Sequence, residues 1–387
     1  MAIGSIRQDF RALAHLIHLN SGGMAPMPAP VVAELLRIPQ YVAEYGPVRL
    51  QFHDEEFVRA GAAHATLARF LGVDAGEIAY TTQFSTGVSL VLEGLRWRAG
   101  DEIIVSDQEH PALLTPVLNI ARRHGVVVRR LTVSDDGAAV LAELTDLLGP
   151  RTRLLAVSHV TTETGTILPV AEMTRLAHAR GALVLLDGAH SVGQLPLDLR
   201  ALGCDFYAMV GYKWLFGPYP SAALYIRREA LDQVEVTWTG SRVTTTAGVD
   251  MDHVEFIPGA RRFEYGGRPF AYDCAMAAGV EYVDRLGVAA VLAHARALAA
   301  YLHRALAHLP GARIHSPADP ACGTGIVTFS VAGVDGSTLA TALRERWQIL
   351  TRPALKGTTI RTSIAAYTNE ADLDRLVEAA AAVAAGR

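Results

Sequence analysis

Lysine is almost absent from this chain: of 35 lysine and arginine residues only Lys213 and Lys356 are lysine, so arginine carries nearly all of the positive charge. Cysteine is scarce too. Cys204, Cys274 and Cys322 lie far apart and in no CxxC spacing, which argues against a disulfide framework and marks them as reduced core residues of a cytoplasmic protein. The 14 histidines form no HExxH or paired-ligand spacing, so no metal site is expected. A formal net charge of -4 and a pI near 6.4, without a basic cluster, argue against nucleic acid as a partner. Arg7, Asp9 and Arg11 interrupt the opening residues, so neither a signal peptide nor a membrane anchor is expected.

What is present is apolar and long. With 387 residues, 50% hydrophobic and 19% charged, the chain can bury two cores. After a short N-terminal helix, residues 21–31 hold two glycines and three prolines and read as a loop. From Glu77 onward, apolar runs alternate with helical patterns. The runs are EIAYTTQ, DEIIVSD, VVVRRLTV, RLLAVSHV, ALVLLDG, CDFYAMVG and SAALYIRR. This alternation predicts an α/β fold with a mostly parallel seven-stranded sheet flanked by helices. Residues 228–262 are polar and lack helical periodicity; they read as a long excursion for which a hairpin is one available form. Beyond Phe270, two helices, the runs GIVTFSVA and TTIRTSIAA, and a last helix opening on Glu370 and Asp372 read as a smaller α+β domain. The expected partition is a large domain over 15–265 and a small one made of 1–14 and 266–387.

Lys213 sits in MVGYKWLFGPYP, an aromatic and apolar setting. An amine there can lose its proton and attack a carbonyl, which a guanidinium cannot do; alternatively its stem simply packs against Trp214 and Phe216. In parallel sheets ligands lie beyond the C-terminal strand ends. The run ALVLLDG delivers Asp187 there, with His190 three positions on, either as a charge awaiting a cation or as a cap for the next segment. RLLAVSHV ends at His159 and Thr162, and DEIIVSD at Asp107, with Glu109 and His110 beyond. Ser85 and Thr86 open a helix whose N-terminus suits a phosphate, although an ordinary cap looks the same. Together, an amine, a buried carboxylate, a planar ring and a phosphate cradle match what pyridoxal 5'-phosphate (PLP) requires.

On LLDGAHSVGQLPLDL, GCDFYAMVGYKWLFGP and RFEYGGRPF, the chain resembles the fold-type I PLP enzymes of aminotransferase class V, which include cysteine desulfurases, isopenicillin N epimerase-like proteins and C-S lyases. The resemblance implies that Lys213 is the Schiff-base lysine, Asp187 the partner of the pyridine nitrogen and His110 the ring-stacking residue. It places His190 at the phenolic oxygen and Phe84 and Ser85 at the phosphate. Arg361 is expected on the substrate α-carboxylate, with Arg352 a second arginine at the same mouth. It also implies a homodimer in which residues 266–270 reach the neighbour's phosphate site.

Departures from the family pattern narrow the chemistry. The Ser-x-His that commonly precedes the lysine is Val210 and Tyr212 here, so the Tyr212 hydroxyl is expected to replace one phosphate contact. The partner-chain threonine is Gly267, with Arg268 beside it as a substitute, and the asparagine near the cofactor oxygen is Thr162. Residues 353–360, PALKGTTI, hold no cysteine to accept sulfur, and Cys322 is the only nearby thiol. The expectation is a PLP enzyme acting at the α-carbon of an amino acid or its conjugate, foremost a β-eliminating C-S lyase. An aminotransferase or epimerase is the alternative, and a desulfurase is disfavoured.

Overall fold

The computed structural model describes residues 3–46 and 50–386, so the first two residues of the expected 1–14 segment lie outside it. Seven strands form the central sheet in the spatial order Ile78–Thr81, Ala222–Ile226, Phe206–Val210, Leu183–Asp187, Thr152–Ser158, Glu102–Ser106 and Val127–Leu131. Ala222–Ile226 runs antiparallel to both neighbours and the other six share one direction. The α/β expectation of a mostly parallel, seven-stranded sheet therefore holds.

Burial on both faces explains why these strands read as unbroken apolar runs. Successive residues alternate between two cores: Val184, Leu186, Tyr207 and Met209 point into one, and Leu185, Phe206, Ala208 and Val210 into the other. The second core also takes Phe84, Val88 and Val91 of helix Phe84–Gly94, fixing that helix over the sheet with its N-terminus at the strand ends.

The smaller unit is an antiparallel sheet ordered Ala312–Ile314, Ile326–Val331, Thr359–Ser363, Arg352–Ala354, covered by helices Val288–Ala307, Gly336–Trp347 and Glu370–Ala384. The N-terminal segment belongs to both units. Ile6 and Phe10 enter the large core, whereas Arg7 forms a two-pronged ion pair with Asp372, Ile17–His18 pairs with Ile349–Leu350, and Leu19 enters the third core. Helix Phe270–Leu286, assigned to the small domain from sequence, buries Met276, Val280 and Val283 in the large core. Residues 228–262 contain the hairpin Thr244–Val249 and Val254–Phe256. No single helix among the described residues is long and apolar enough to cross a membrane.

Candidate active site

The lysine-bearing segment is held from two sides. Gly211 N–H bonds the Ser221 carbonyl at 2.9 Å and Gly217 N–H bonds the Gly211 carbonyl at 2.8 Å, closing residues 211–221 into a compact loop. Helix Phe270–Leu286 then packs beneath it. A Cβ on Gly279 would lie 2.3 Å from the Leu215 carbonyl, so only glycine permits this approach. The result is that Lys213 is turned inward and 8% exposed.

Lys213 meets His190, with Nζ 3.2 Å from Nε2. The same Nε2 lies 3.1 Å from Thr162 Oγ1, and Nδ1 accepts the Trp214 indole N–H at 3.4 Å. An indole nitrogen only donates, so Nδ1 carries a lone pair and the proton of the neutral ring sits on Nε2. Burial keeps His190 neutral, pulling its pKa well below the usual value, and the positive charges of Lys213 and Arg361 add to this. The single Nε2 proton lies between the Lys213 nitrogen and Thr162 Oγ1, and the neutral amine is the form of Lys213 that can accept it. Burial drives its pKa down in the same sense; the Asp187 carboxylate opposes that, and Arg361 and Arg352 reinforce it. A neutral amine is a nucleophile and a base.

Asp187 ends its strand with a carboxylate 5% exposed. Oδ1 accepts the Ala189 N–H at 2.7 Å, so the capping role foreseen for it occupies one oxygen. Among the described residues Oδ2 accepts no hydrogen bond, and no direct ion pair forms with Lys213. Burial pushes its pKa up while Lys213 and the Ala189 N–H hold it down. His110 caps helix Pro111–His124, its Nδ1 accepting the Ala112 N–H at 3.0 Å, and burial with the nearby cations lowers its pKa to about 4. It is thus neutral, and its capping bond fixes the ring.

The mouth of the site is built by the small sheet. Arg361 is 1% exposed; its Nη1 donates to the Thr162 carbonyl at 2.7 Å and to Thr162 Oγ1 at 3.1 Å, while Nε and Nη2 are buried without partners among the described residues. Ser363 Oγ is likewise buried and unpartnered. Gly22 faces all of them: a Cβ there would stand 2.8 Å from Ser363 Oγ, 3.1 Å from Arg361 Nη2 and 3.1 Å from the His190 ring. Unpaired donors packed around a bare backbone point to an anionic ligand.

At the phosphate side, helix Phe84–Gly94 has no side-chain cap on its first turn, and a cavity of about 270 Å³ lined by Gln83, Ser85, Thr86, Ser89, Trp238 and Tyr265 lies against it. Ser85 Oγ donates to the Ala112 carbonyl at 3.1 Å. The ring of Tyr212 packs edge-on against Tyr219 at 4.9 Å, and its hydroxyl forms no hydrogen bond among the described residues. Two residues stand apart from this group. Arg268 is committed within its own chain to the Tyr80 carbonyl at 2.6 Å and to Asp273 at 2.8 Å, and Gly267 is exposed with open space around it.

Sequence reasoning passed over two contributors, Trp214 as a donor to His190 and Ser363, and gave Glu109 a position but no role. Glu109 lies beneath the site, accepting from Ser106 Oγ, Ser158 N–H and Ser158 Oγ, and burial raises its pKa to about 7. The available signals were the position of Glu109 beyond a strand end and the adjacency of Trp214 to Lys213. The uncapped helix, the spare Asp187 oxygen, the neutral Lys213 amine and the unpartnered Arg361 edge are what a phosphate, a protonated pyridine nitrogen, an aldehyde and a carboxylate need, so the residues fit PLP and an amino acid.

The aminotransferase class-V family model matches residues 17–376. The chain is 33% identical over 376 residues to isopenicillin N epimerase of Streptomyces clavuligerus, covering 94% of each. It is 31% identical to the cysteine desulfurase of Dickeya dadantii, with 97% of this chain and 95% of that protein covered. Its fold matches the cystine C-S lyase C-DES, solved in complex with its product cysteine persulfide, at TM-score 0.89 and 29% identity over 96% of this chain and 99% of that one. A lysine mutant of C-DES carries glycine covalently linked to its PLP cofactor.

Proposed function

The chain belongs to the aminotransferase class-V family and is a PLP-dependent enzyme, and from that premise we propose that it is a C-S lyase releasing a sulfur leaving group from the β-carbon of an amino acid. The observation that carries this is the turn between the two arginines. Residues 353–360 contain no thiol, and the turn is short, with the Leu355 N–H bound to the Glu163 carboxylate. Cys322 sits elsewhere, half-buried, with its carbonyl bound to Ile167 N–H at 2.9 Å. A route that needs no sulfur acceptor on the protein suits this arrangement, and the likeness to a cystine C-S lyase supports it.

When bound, the cofactor supplies a carbonyl for the substrate amine and an electron sink for the electrons of the Cα–H bond. Asp187 would hold its pyridine nitrogen protonated, Phe84 and Ser85 N–H groups, with the Tyr212 hydroxyl, its phosphate, His110 its face, and His190 with Thr162 its phenolic oxygen. Arg361 would fix the α-carboxylate through its free Nε and Nη2 edge. The Lys213 amine takes the α-proton, which an ammonium could not do. The Cβ–S bond then breaks with its electron pair going to sulfur, and hydrolysis of the remaining three-carbon unit gives a keto acid and ammonia. We read the enzyme as a homodimer, in which the open backbone at Gly267 faces the neighbour's phosphate site.

Epimerisation is the second reading, favoured by Thr162 in place of asparagine and by the 33% identity to isopenicillin N epimerase. One experiment separates the two. The PLP-loaded enzyme is incubated with S-substituted cysteines and plain amino acids, and pyruvate, sulfide, keto acids and racemisation are followed together. Stoichiometric pyruvate and thiol from S-substituted cysteines support the lyase. Racemisation without pyruvate replaces it with the epimerase, and persulfide trapped on Cys322 during sulfide release refutes the acceptor-free route.

A further inference from the structure

The turn that follows Asp187 touches three parts of the site at once. Gly193 adopts φ 84°, and a Cβ there would stand 2.8 Å from the Trp214 carbonyl, so the turn lies directly against the lysine segment. From the same turn His190 meets Lys213. Gln194, fully buried, joins the turn to the small sheet: Nε2 donates to the His190 carbonyl at 2.6 Å and Oε1 accepts the Gly325 N–H at 2.8 Å. A buried carbonyl needs a donor and a buried N–H needs an acceptor, and a primary amide carries both on one planar group.

Gly325 leads into strand Ile326–Val331, whose Ile326 and Thr328 lie opposite Ser363 and Arg361. Its carbonyl accepts the Ile364 N–H at 2.8 Å, and a Cβ on it would stand 2.3 Å from the Ile364 carbonyl, so Gly325 is pressed against the end of the Arg361 strand. Among the described residues, the other hydrogen bonds from this sheet and the loop leading into it to the strand-end turns of the large sheet fall on residues 162–167, as in those from Arg361 to Thr162 and from Thr328 Oγ1 to the Glu163 carbonyl. Attachment along one segment permits a pivot about it. Gln194 supplies a second attachment, and it ends on the backbone of His190.

We infer that Gln194 is a positioning residue that sets the Arg361 sheet in register with the His190 turn, and so fixes the separation between the guanidinium that takes a substrate's α-carboxylate and the groups that meet the cofactor. It acts through Arg361 and His190. This rests on the amino-acid reading of the site but not on the lyase outcome. A two-pronged contact between arginine and carboxylate tolerates little displacement, and one charge-assisted hydrogen bond lost at this depth corresponds to roughly ten- to a hundredfold in affinity.

The test compares S-methyl-L-cysteine with its carboxamide, each binding to the PLP-loaded enzyme and read as the change in the cofactor's visible absorption. The ratio of the two affinities measures the hold on the carboxylate, whereas a general loss of packing weakens both alike. In the parent the acid should bind roughly ten- to a hundredfold more tightly than the amide. Gln194→Met keeps the length of the side chain and removes both bonds, and should bring the ratio to within about threefold of one. Gln194→Glu supplies the answer where that variant does not fold. As a carboxylic acid it offers the same donor and acceptor, and as a carboxylate it repels the His190 carbonyl. Its ratio, divided by that of the parent at the same pH to cancel the titrations common to both, should therefore be near one in acid and fall as pH rises. A ratio in Gln194→Met equal to that of the parent, or one in Gln194→Glu that follows the parent at every pH, overturns the inference. So does equal binding of acid and amide by the parent, which leaves the amino-acid reading standing. Absence of any spectral response to either compound overturns the amino-acid reading and this inference with it.

Discussion

Replacing Trp214 by phenylalanine tests the proton arrangement at the centre of the site. The indole N–H lies 3.4 Å from His190 Nδ1, long for such a bond, so by itself it contributes about 0.5 kcal/mol. Its larger effect is to decide which ring nitrogen carries the proton. Without the indole nothing holds Nδ1 as an acceptor, so the proton is free to sit there and leave Nε2 to accept from a Lys213 ammonium. Nε2, 3.2 Å from Lys213 Nζ, then becomes an acceptor for an ammonium. A hydrogen bond to a charged group contributes roughly 1.5–3 kcal/mol, equivalent to a rise of about one to two units in the Lys213 pKa. Only the neutral amine captures the cofactor, so the rate of PLP attachment to the apo-protein, followed by visible absorption across pH, reports that ionisation. Trp214→Phe should move the midpoint up by about one unit or more, and ¹⁵N spectra of the imidazoles should show the proton passing to Nδ1 of His190. An unchanged midpoint, or a parent enzyme already protonated at Nδ1, refutes the assignment. Because Trp214 is buried, the thermal midpoint is recorded beside it to separate packing loss from the proton shift.

Three further outcomes follow from distances and burial. Gly22→Ala places a methyl 2.8 Å from Ser363 Oγ, 3.1 Å from Arg361 Nη2 and 3.1 Å from the His190 ring, so substrate KM should rise at least about tenfold, and a KM that stays at the parent value refutes the placement of the carboxylate there. Gly279→Ala forces the helix off the Leu215 carbonyl and should cost about 1–3 kcal/mol by urea unfolding, with weakened cofactor retention. Glu109 has a folded pKa of about 7 against an ordinary 4.5, so the folded state holds its proton more tightly than the unfolded chain. Its contribution to stability is greatest below the unfolded value and falls by about 3 kcal/mol as pH rises to the folded one. Glu109→Gln cannot ionise, so its stability relative to the parent should improve by that order between acid and slightly alkaline pH, and a difference that does not vary with pH removes the assignment.

The large sheet was legible because both its faces are buried: strands such as Leu183–Asp187 must be apolar at every position, and only their last residues are free to be polar. That constraint is why Asp187 and His190 could be found from sequence. The helices Ala29–Tyr45 and Leu50–Leu71 were not, since Pro39 interrupts the first and the second mixes alanines with charges. Donor directions were also out of reach. Trp214 adjoins Lys213 in sequence, but that its N–H turns to His190 depends on how the 211–221 loop closes, which no local pattern encodes. Arg268 illustrates the same limit: its ion pair with Asp273, five residues on in the next helix, is a contact that the motif around Gly267 does not encode.

The turn between the arginines bears on the missing thiol. Leu355 and Lys356 both adopt left-handed backbone, at φ 45° and 60°, followed by Gly357 at 88°. Two non-glycine residues in that region cost about 1 kcal/mol each, so the surroundings must hold them there. They do so through the Leu355 N–H on Glu163 and through Thr358 Oγ1, which donates to the Leu355 carbonyl at 2.8 Å. A sulfur-accepting cysteine has to travel between the cofactor and a second acceptor, and a pinned turn cannot travel. What a pinned turn can do is hold its two flanking strands in register, and those strands present Arg352 opposite Arg361. The same rigidity that disfavours sulfur relay thus fixes the strand of Arg361, on which the α-carboxylate is proposed to sit.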